Sequence, residues 1–203
     1  MLPGAWGARQ IEDVAGNGRR AGKRTAGEWG LIMQSCSRPL AGVLSVAILV
    51  AAGMAVQPAA AREIVAFKEG SAGSIIIKSN ERRLYYVLGN GRAMRYPVGV
   101  GKAGKRWSGT TFITGKYRRP DWSPPKEVKR DKPKIPNLIK GGSPRNPMGE
   151  AALTLSGGEY AIHGTNMPGS VGGFVSYGCI RMYNQDILDL YARVGVGTTV
   201  VVQ

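Results

Sequence analysis

The sequence has few acidic residues, few aromatic residues and no internal repeat. Only 13 Asp and Glu stand against 28 Lys and Arg in 203 residues, and the formal net charge is +15. Without a repeat a solenoid is excluded, and without periodic glycine a collagen-like chain is excluded. The 43% of apolar residues exclude a disordered protein, and the 20% of charged residues exclude a multi-span membrane protein. A soluble, basic domain with a removable segment remains.

The start of the chain is predicted to lie outside that domain. Residues 1–34 are rich in glycine, alanine and arginine and show no sustained helical or strand period. Arg38 then precedes an apolar run over 40–56 and the small residues 59–61. A basic region, a short apolar region and a small-residue end describe a secretory signal peptide.

This signal pattern lies far from Met1 and just after Met33, so we predict that translation starts at Met33. Met1 stays open as the alternative start. We expect cleavage after Ala61, which makes 1–61 an over-extended N-terminus plus signal peptide. A single membrane anchor is the alternative, but the apolar run is shorter than the ~20 residues of a span and Gly53 interrupts it.

The remaining segment, 62–203, carries a net charge of +12 and a single cysteine, Cys179. An exported chain with one thiol forms no internal disulfide, so Cys179 is either a reactive group or a buried, inert side chain. One cysteine and one histidine are too few ligands for a zinc site, so we expect no metal and no cofactor.

The segment 62–203 is predicted to be mainly β. Runs of β-branched and aromatic residues lie at 74–78, 83–88 and 93–98, and Asn90-Gly91 favours a type I′ hairpin turn. These runs predict an antiparallel meander. Further strand candidates lie at 110–115, 151–155, 159–163 and 198–202. Short strands at this spacing predict a β-sandwich or partly closed barrel.

One helix and one long loop complete the predicted fold. The helix begins at the candidate N-cap Asn184, carries apolar residues on one face and stops at Gly195. Residues 117–146 are rich in proline, lysine and glycine and exceed the ~12 to 15 residues that compact domains usually tolerate in a loop. We expect a lid, with a mobile loop as the alternative, because Trp122 and Leu138 provide side chains for packing.

The candidate chemistry lies in one window. His163 is the only histidine, and Cys179 follows 16 residues later in a glycine-containing turn. A free thiol is mostly protonated at neutral pH, so a neighbouring imidazole base is the ordinary route to a nucleophile. No carboxylate lies within three residues of His163 in sequence, so a backbone carbonyl is the candidate for orienting its ring. Residue type alone leaves open that His163 and Cys179 are each structural rather than catalytic.

Two motifs make the window specific. Ile162-His163-Gly164-Thr165 and Ser176-x-Gly178-Cys179-Ile180-Arg181-Met182 resemble the signature of the L,D-transpeptidase catalytic domain, the cysteine enzymes that cross-link bacterial peptidoglycan. Trp107-Ser108-Gly109-Thr110 and Trp122-Ser123-Pro124-Pro125 follow in the family's order. The resemblance covers 62–203 and implies mixed strands, one or two short helices and a long lid loop.

The resemblance also implies roles for individual residues. Cys179 matches the nucleophile, His163 the general base and acid, and the Gly164 carbonyl the group that orients His163. Backbone N–H groups around Gly178 and Cys179 would form the oxyanion hole, and Arg181 would bind substrate carboxylates or support the site.

Ser176, Tyr177 and Trp122 are the other candidates for substrate contact. The Ser176 hydroxyl is also a typical turn-stabilising group. Tyr177 stands where many family members have a second histidine, and this difference affects only an accessory role.

The implied reaction is acyl transfer between peptidoglycan stem peptides. The Cys179 thiolate attacks the L-centre carbonyl of diaminopimelate in a tetrapeptide stem and expels D-alanine. An amine of a second stem or of an outer-membrane protein then takes the acyl group, whereas water would make the enzyme a carboxypeptidase. We expect a monomer in the periplasm or cell envelope, where a basic domain suits a carboxylate-rich wall.

Two other functional classes stay open. A non-catalytic wall-binding module would keep the fold and the charge without needing Cys179 and His163, both of which are present. A nucleic-acid binder would explain the charge, but the basic residues are scattered over loops and export removes such a partner, so we expect no nucleic acid.

Overall fold

The computed structural model describes residues 62–203, and the predicted signal peptide, the start at Met33 and cleavage after Ala61 lie outside the described residues. The strands are β1 (Glu63–Ala66), β2 (Ile75–Lys78), β3 (Arg83–Gly89), β4 (Arg92–Pro97), β5 (Val100–Gly101), β6 (Gly109–Arg118), β7 (Ala151–Leu155), β8 (Ala161–His163), β9 (Phe174–Ser176), β10 (Ile180–Arg181) and β11 (Thr199–Val202). The helices are α1 (Lys126–Asp131) and α2 (Asn184–Arg193). Neither helix in this part has the length and apolarity needed to cross a bilayer.

The predicted meander is confirmed. Strands β2, β3 and β4 pair antiparallel in chain order, and β1 adds to the free edge of β4. Asn90 and Gly91 between β3 and β4 have φ values of 51° and 68°. A type I′ turn requires positive φ at both central residues, so this pair closes the hairpin as predicted.

Strand β6 joins two halves of a nine-stranded sheet whose order is β1-β4-β3-β2-β11-β6-β7-β8-β10. Its first residues pair with β11 and its later residues with β7, and the register shifts between Ile113 and Gly115. Such an irregularity bends a strand, which lets the two halves turn toward each other. The pairs β11–β2 and β10–β8 are parallel, so the sheet is mixed.

Both halves enclose one hydrophobic core. Ile75 and Leu84 of the first half lie in the same buried cluster as Leu153 and Ile162 of the second, with Leu190 of α2. Each of these side chains is 0% exposed. The expected mainly β fold of mixed strands with few helices is confirmed.

Helix α2 begins at the predicted residue, but Asn184 is not its N-cap. The N-cap residue is Tyr183, whose side chain makes no capping hydrogen bond. The Asn184 amide oxygen accepts the N–H groups of Glu150 and Thr165, and its nitrogen donates to the Thr165 carbonyl. The capping prediction is therefore wrong, because Asn184 ties two loops of the tertiary fold together.

The long excursion between β6 and β7, residues 119–150, is folded, and we call it the lid. Trp122 and Ile139 exchange two backbone hydrogen bonds of 2.8 Å near its base. The buried Asn146 amide donates to the carbonyls of Pro120, Ile139 and Lys140. Helix α1 lies between the two paired segments, so the predicted loop is organised by its own hydrogen bonds.

Candidate active site

Strands β8 and β10 bring the two candidate catalytic residues together. In their parallel pairing Ile180 lies opposite Ile162 and Arg181 opposite His163. Ile162 and Ile180 are 0% and 2% exposed and belong to the core. Because side chains alternate along a strand, His163 and Arg181 share the other face, as does Cys179, two residues before Arg181.

His163, Cys179 and Arg181 line one cavity of about 290 Å³. The lid contributes Trp122, Pro125, Glu127, Val128, Pro147 and Met148, and the turns around Tyr160 and Tyr177 complete the wall. A second cavity of about 520 Å³ shares Trp122, Met148 and Cys179 with the first and extends along Thr114 and Thr154. Cys179 therefore borders both cavities. No cluster of three or more potential metal ligands of the His, Cys, Asp or Glu type occurs within 62–203.

The imidazole of His163 is buried and fixed by backbone carbonyls. Its Nδ1 lies 2.6 Å from the Gly164 carbonyl oxygen. A carbonyl only accepts, so Nδ1 carries a proton and the neutral ring keeps Nε2 as its acceptor. An added Cβ at Gly164 would lie 2.3 Å from the Asn184 amide oxygen, so glycine is required for this loop to approach Asn184.

Burial, and to a smaller extent the positive charge of Arg181, lowers the pKa of His163 to about 4. The backbone carbonyls of Gly164 and Pro147 oppose this shift because they favour the protonated ring. The imidazole is therefore neutral at neutral pH, which is the form that accepts a proton.

Cys179 is half-buried, and its Sγ lies 3.8 Å from the carbonyl oxygen of Glu159. Burial raises the pKa of the thiol, while the Ala161 backbone N–H and the charge of Arg181 act to lower it. Within 62–203, no hydrogen bond joins Sγ to His163. The resting pair is thus a neutral thiol just before β10 and a neutral imidazole at the end of β8.

The turn before Cys179 is fixed by Ser176. Its hydroxyl donates to the Cys179 carbonyl at 2.6 Å and accepts the Gly178 N–H at 3.1 Å. Ser176 thus occupies the turn-stabilising position, and direct contact with a substrate stays a prediction. The Gly178 N–H bonds to the Ser176 hydroxyl in this structure, and its expected part in an oxyanion hole stays a prediction.

Gly178 is required at its position for two reasons. Its φ of +119° lies in the region that favours glycine, and an added Cβ would lie 2.4 Å from the ring of Tyr160. Close approach of the aromatic ring to the backbone therefore fixes the path of the chain into Cys179.

Arg181 carries a positive charge that has no acidic partner among residues 62–203. Its Nη1 donates to the Ser170 hydroxyl at 3.1 Å, and its buried Nε has no acceptor in the described chain. No carboxylate of residues 62–203 forms an ion pair with it, and burial lowers its pKa. An unneutralised guanidinium in the wall of a cavity is suited to a carboxylate ligand.

Tyr177 connects the catalytic turn to the lid. Its hydroxyl donates to the Asp131 carboxylate at 2.8 Å, and the Lys102 ammonium lies 3.8 Å from its ring centroid. Lys105 and Glu127 form an ion pair between the body of the domain and α1. The lid is therefore held over the cavity by polar contacts at both ends of α1.

Some residues of the site were not anticipated from the sequence. Tyr160 and Pro147 line the cavity, and Trp107 donates a hydrogen bond to the Gly178 carbonyl. The family-like order of the Trp107 segment was a signal for its place in the fold, but no local pattern indicated these contacts.

The chain belongs to the L,D-transpeptidase catalytic domain family, whose model matches residues 72–202. The predicted resemblance is thereby confirmed.

Curated proteins similar to this chain carry the same description. Probable L,D-transpeptidase YbiS of Escherichia coli is 40% identical over 135 residues, covering 62% of this chain and 43% of that protein. Probable L,D-transpeptidase ErfK/SrfK of Salmonella typhimurium is 38% identical over 135 residues, covering 62% and 42%. The chain thus spans less than half the length of these relatives.

Solved structures show the same fold. An L,D-transpeptidase from Mycobacterium smegmatis has a TM-score of 0.53 at 19% identity, over 68% of this chain and 61% of that chain. An L,D-transpeptidase from Enterococcus faecium has a TM-score of 0.52 at 15% identity, over 66% and 50%.

Proposed function

We propose that this protein is a peptidoglycan L,D-transpeptidase that works through a thioester on Cys179. The observation that carries the proposal is that His163, at the end of β8, and Cys179, immediately before β10, line one cavity, with the Gly164 carbonyl 2.6 Å from Nδ1 of His163. A nucleophile, a base and a group that orients the base form the arrangement that acyl transfer needs.

The first step forms the thioester. His163 Nε2 takes the thiol proton as Sγ adds to the carbonyl carbon of the L-centre of diaminopimelate in a tetrapeptide stem. The electron pair of the C=O bond moves to oxygen. When it returns, the bond to the D-alanine nitrogen breaks and His163 gives its proton to that nitrogen. The charge of Arg181 favours the thiolate and opposes the imidazolium, so proton transfer and attack on the substrate are coupled.

The second step transfers the acyl group. An amine of a second stem attacks the thioester carbon and gives a proton to His163, and the C–S bond breaks to return the thiol. A new amide joins the two stems. An amine of an outer-membrane protein is a second acceptor of the same chemistry, and water in its place gives a hydrolase that only trims D-alanine.

The other site residues support binding in this proposal. Arg181 holds a substrate carboxylate, since its charge has no acidic partner in residues 62–203. Trp122 lines both cavities and packs against the stem, and Tyr177 holds the lid in place. Ser176 maintains the turn.

The location and boundaries follow from the same proposal. The substrate lies in the cell envelope, and the basic, apolar and small-residue pattern before residue 62 suits export to the periplasm. The exported domain then comprises 62–203, acts as a monomer, and carries a net charge of +12 that favours approach to an anionic wall.

The test uses purified protein, a disaccharide tetrapeptide bearing diaminopimelate, and mass spectrometry of the products. We expect a dimer that has lost one D-alanine, and we expect none with Cys179→Ala. A matched tripeptide stem, which lacks the terminal D-alanine, should act as an acceptor only.

Other products would distinguish the alternative reactions from cross-linking of two stems. Tripeptide without dimer would identify a carboxypeptidase, and an adduct formed only with an added amine-bearing peptide would identify a protein acceptor. Release of D-alanine by Cys179→Ala at the wild-type rate would exclude the proposed mechanism.

A further inference from the structure

The peptide bond that leads into Cys179 is held by an aromatic pair. Trp107 Nε1–H donates to the Gly178 carbonyl oxygen at 2.9 Å. The Trp107 ring stacks on Tyr160 with centroids 4.9 Å apart and planes at 9°. Tyr160 also fills the space that a side chain at Gly178 would need. These two rings therefore fix the Gly178 carbonyl in one direction.

The other backbone groups of this turn are almost all engaged. The Gly178 N–H and the Cys179 carbonyl both bond to the Ser176 hydroxyl. The Cys179 N–H alone among the backbone groups of Gly178 and Cys179 lacks a partner in the part of the chain that is described. In a planar trans peptide the C=O and the following N–H point in opposite directions. Holding the Gly178 carbonyl toward Trp107 directs the Cys179 N–H away from Trp107.

We propose that Trp107 is a positioning residue that fixes the Cys179 N–H as an oxyanion donor. The inference rests on the proposed function and identifies what supports its acyl-transfer step. When Sγ adds to a carbonyl carbon, the negative charge develops on oxygen, and a donor already held in place stabilises it without reorganisation. Trp107 acts through the peptide bond, because it does not line the cavity.

The test compares two reactions of Cys179 in the full-length wild type and in Trp107→Phe. Phenylalanine keeps a ring against Tyr160 but lacks the Nε1–H donor. Iodoacetamide alkylates the thiolate by displacement at a saturated carbon, whereas p-nitrophenyl acetate acylates it through a tetrahedral oxyanion. We expect acylation to slow by about 10-fold or more and alkylation to stay within about twofold, since only acylation uses the donor.

The matched control is Tyr86→Phe. It removes a different aromatic donor, the Tyr86 hydroxyl that bonds to the Arg193 carbonyl at 3.3 Å, outside the cavity. Both rates should equal those of the wild type. Thermal unfolding of both variants shows whether the fold is retained.

Turnover of tetrapeptide stems gives a second readout. Trp107→Phe should lower kcat by about 10- to 100-fold with KM within about twofold of wild type, because the donor acts in the transition state. An unchanged ratio of acylation to alkylation in Trp107→Phe would overturn the inference, whether both rates stay at the wild-type value or both fall equally. If the wild type is acylated by p-nitrophenyl acetate but releases no D-alanine, the proposed function fails and the role of Trp107 stands on the ratio.

Discussion

Arg181 lies directly opposite His163 in the parallel pairing of β10 and β8, so a guanidinium and an imidazole occupy the same face of neighbouring strands. The positive charge of Arg181 lowers the pKa of His163 and also that of Cys179. It therefore disfavours a protonated imidazole and favours a thiolate. One residue thus acts on the pKa of both His163 and Cys179, and its charge remains available to a carboxylate.

Replacing Arg181 by glutamine should weaken substrate binding and shift the pH profile. Loss of a charge-assisted contact to a carboxylate should raise KM by roughly 10- to 100-fold. The pKa values of both His163 and Cys179 should rise, which moves the acid side of the kcat profile to higher pH. Steady-state kinetics over a range of pH measures both effects. Arg92→Gln, at an exposed position on β4, is the matched control, and equal effects of the two variants would contradict this role.

Stability should fall as pH is lowered from about 6.5 toward about 4, because His163 is held neutral in the folded state. The unfolded chain binds a proton near the ordinary pKa of 6.5, whereas the folded chain binds it only near 4. Between these values the unfolded state binds more protons, so the free energy of unfolding rises with pH. The contribution is on the order of 3 kcal/mol. Urea unfolding as a function of pH measures it, and His163→Gln should lack this part of the slope.

Gly178→Ala should destabilise the fold more than Gly197→Ala. Both glycines have a positive φ, but only Gly178 also has a side chain in the space of the added methyl group. At Gly178 the positive φ and the overlap with Tyr160 act together. Gly197 has a φ of +88° and open space around it, so Gly197→Ala isolates the first effect, about 1 kcal/mol. Chemical denaturation compares the two. Equal losses would show that Tyr160 yields to the added methyl, and Gly178→Ala with Tyr160→Ala should recover part of the difference.

Replacing Asp186 or Asp189 of α2 by asparagine should change the stability of the fold in opposite directions. Asp186 is 1% exposed and neither of its oxygens has a hydrogen-bond partner in the described chain. Burial raises its pKa, although Arg62 lies 3.6 Å from Oδ1 and acts to lower it. Asp189 accepts from Tyr96 and Arg193, which lowers its pKa. At pH 7 Asp186→Asn should stabilise by ~1 kcal/mol and Asp189→Asn should destabilise by ~1 to 3 kcal/mol.

The effect of Asp186→Asn on stability should depend on pH. The raised pKa of Asp186 means that its protonated form stabilises the fold at low pH and that this stability is lost as pH rises. The advantage of Asp186→Asn should therefore disappear on acidification. Thermal unfolding at several pH values measures this, and a destabilised Asp186→Asn at pH 7 would refute the assignment of Asp186 as a buried charge that Arg62 compensates only in part.

Much of the fold was predictable because it is encoded locally. The meander follows from β-branched runs and from Asn90-Gly91, whose turn preference needs no tertiary information. His163 and Cys179 were predictable because the sequence offers so few alternatives. The two-residue strands β5 and β10 were missed, because pairing with distant strands rather than their own sequence defines them.

Tertiary contacts explain the other differences between the predicted and the observed structure. Asn184 is a good N-cap by propensity, yet loops from two other parts of the chain use its side chain. Trp107 and Tyr160 are far apart in sequence, and no periodicity relates them to each other or to Gly178. Such long-range contacts determine how the backbone at Cys179 is presented, and a single sequence does not encode them in a local pattern.

The lid leaves the sheet and returns to it at one place. Arg119 N–H donates to the Glu150 carbonyl at 3.0 Å, and the side chains of the same two residues form an ion pair. An insertion closed at its base in this way varies in length or composition without changing the register of β6 and β7. Evolution, or a designer exchanging lids between homologues, thus has a route to new substrate preferences in which the nucleophile and its scaffold are inherited intact.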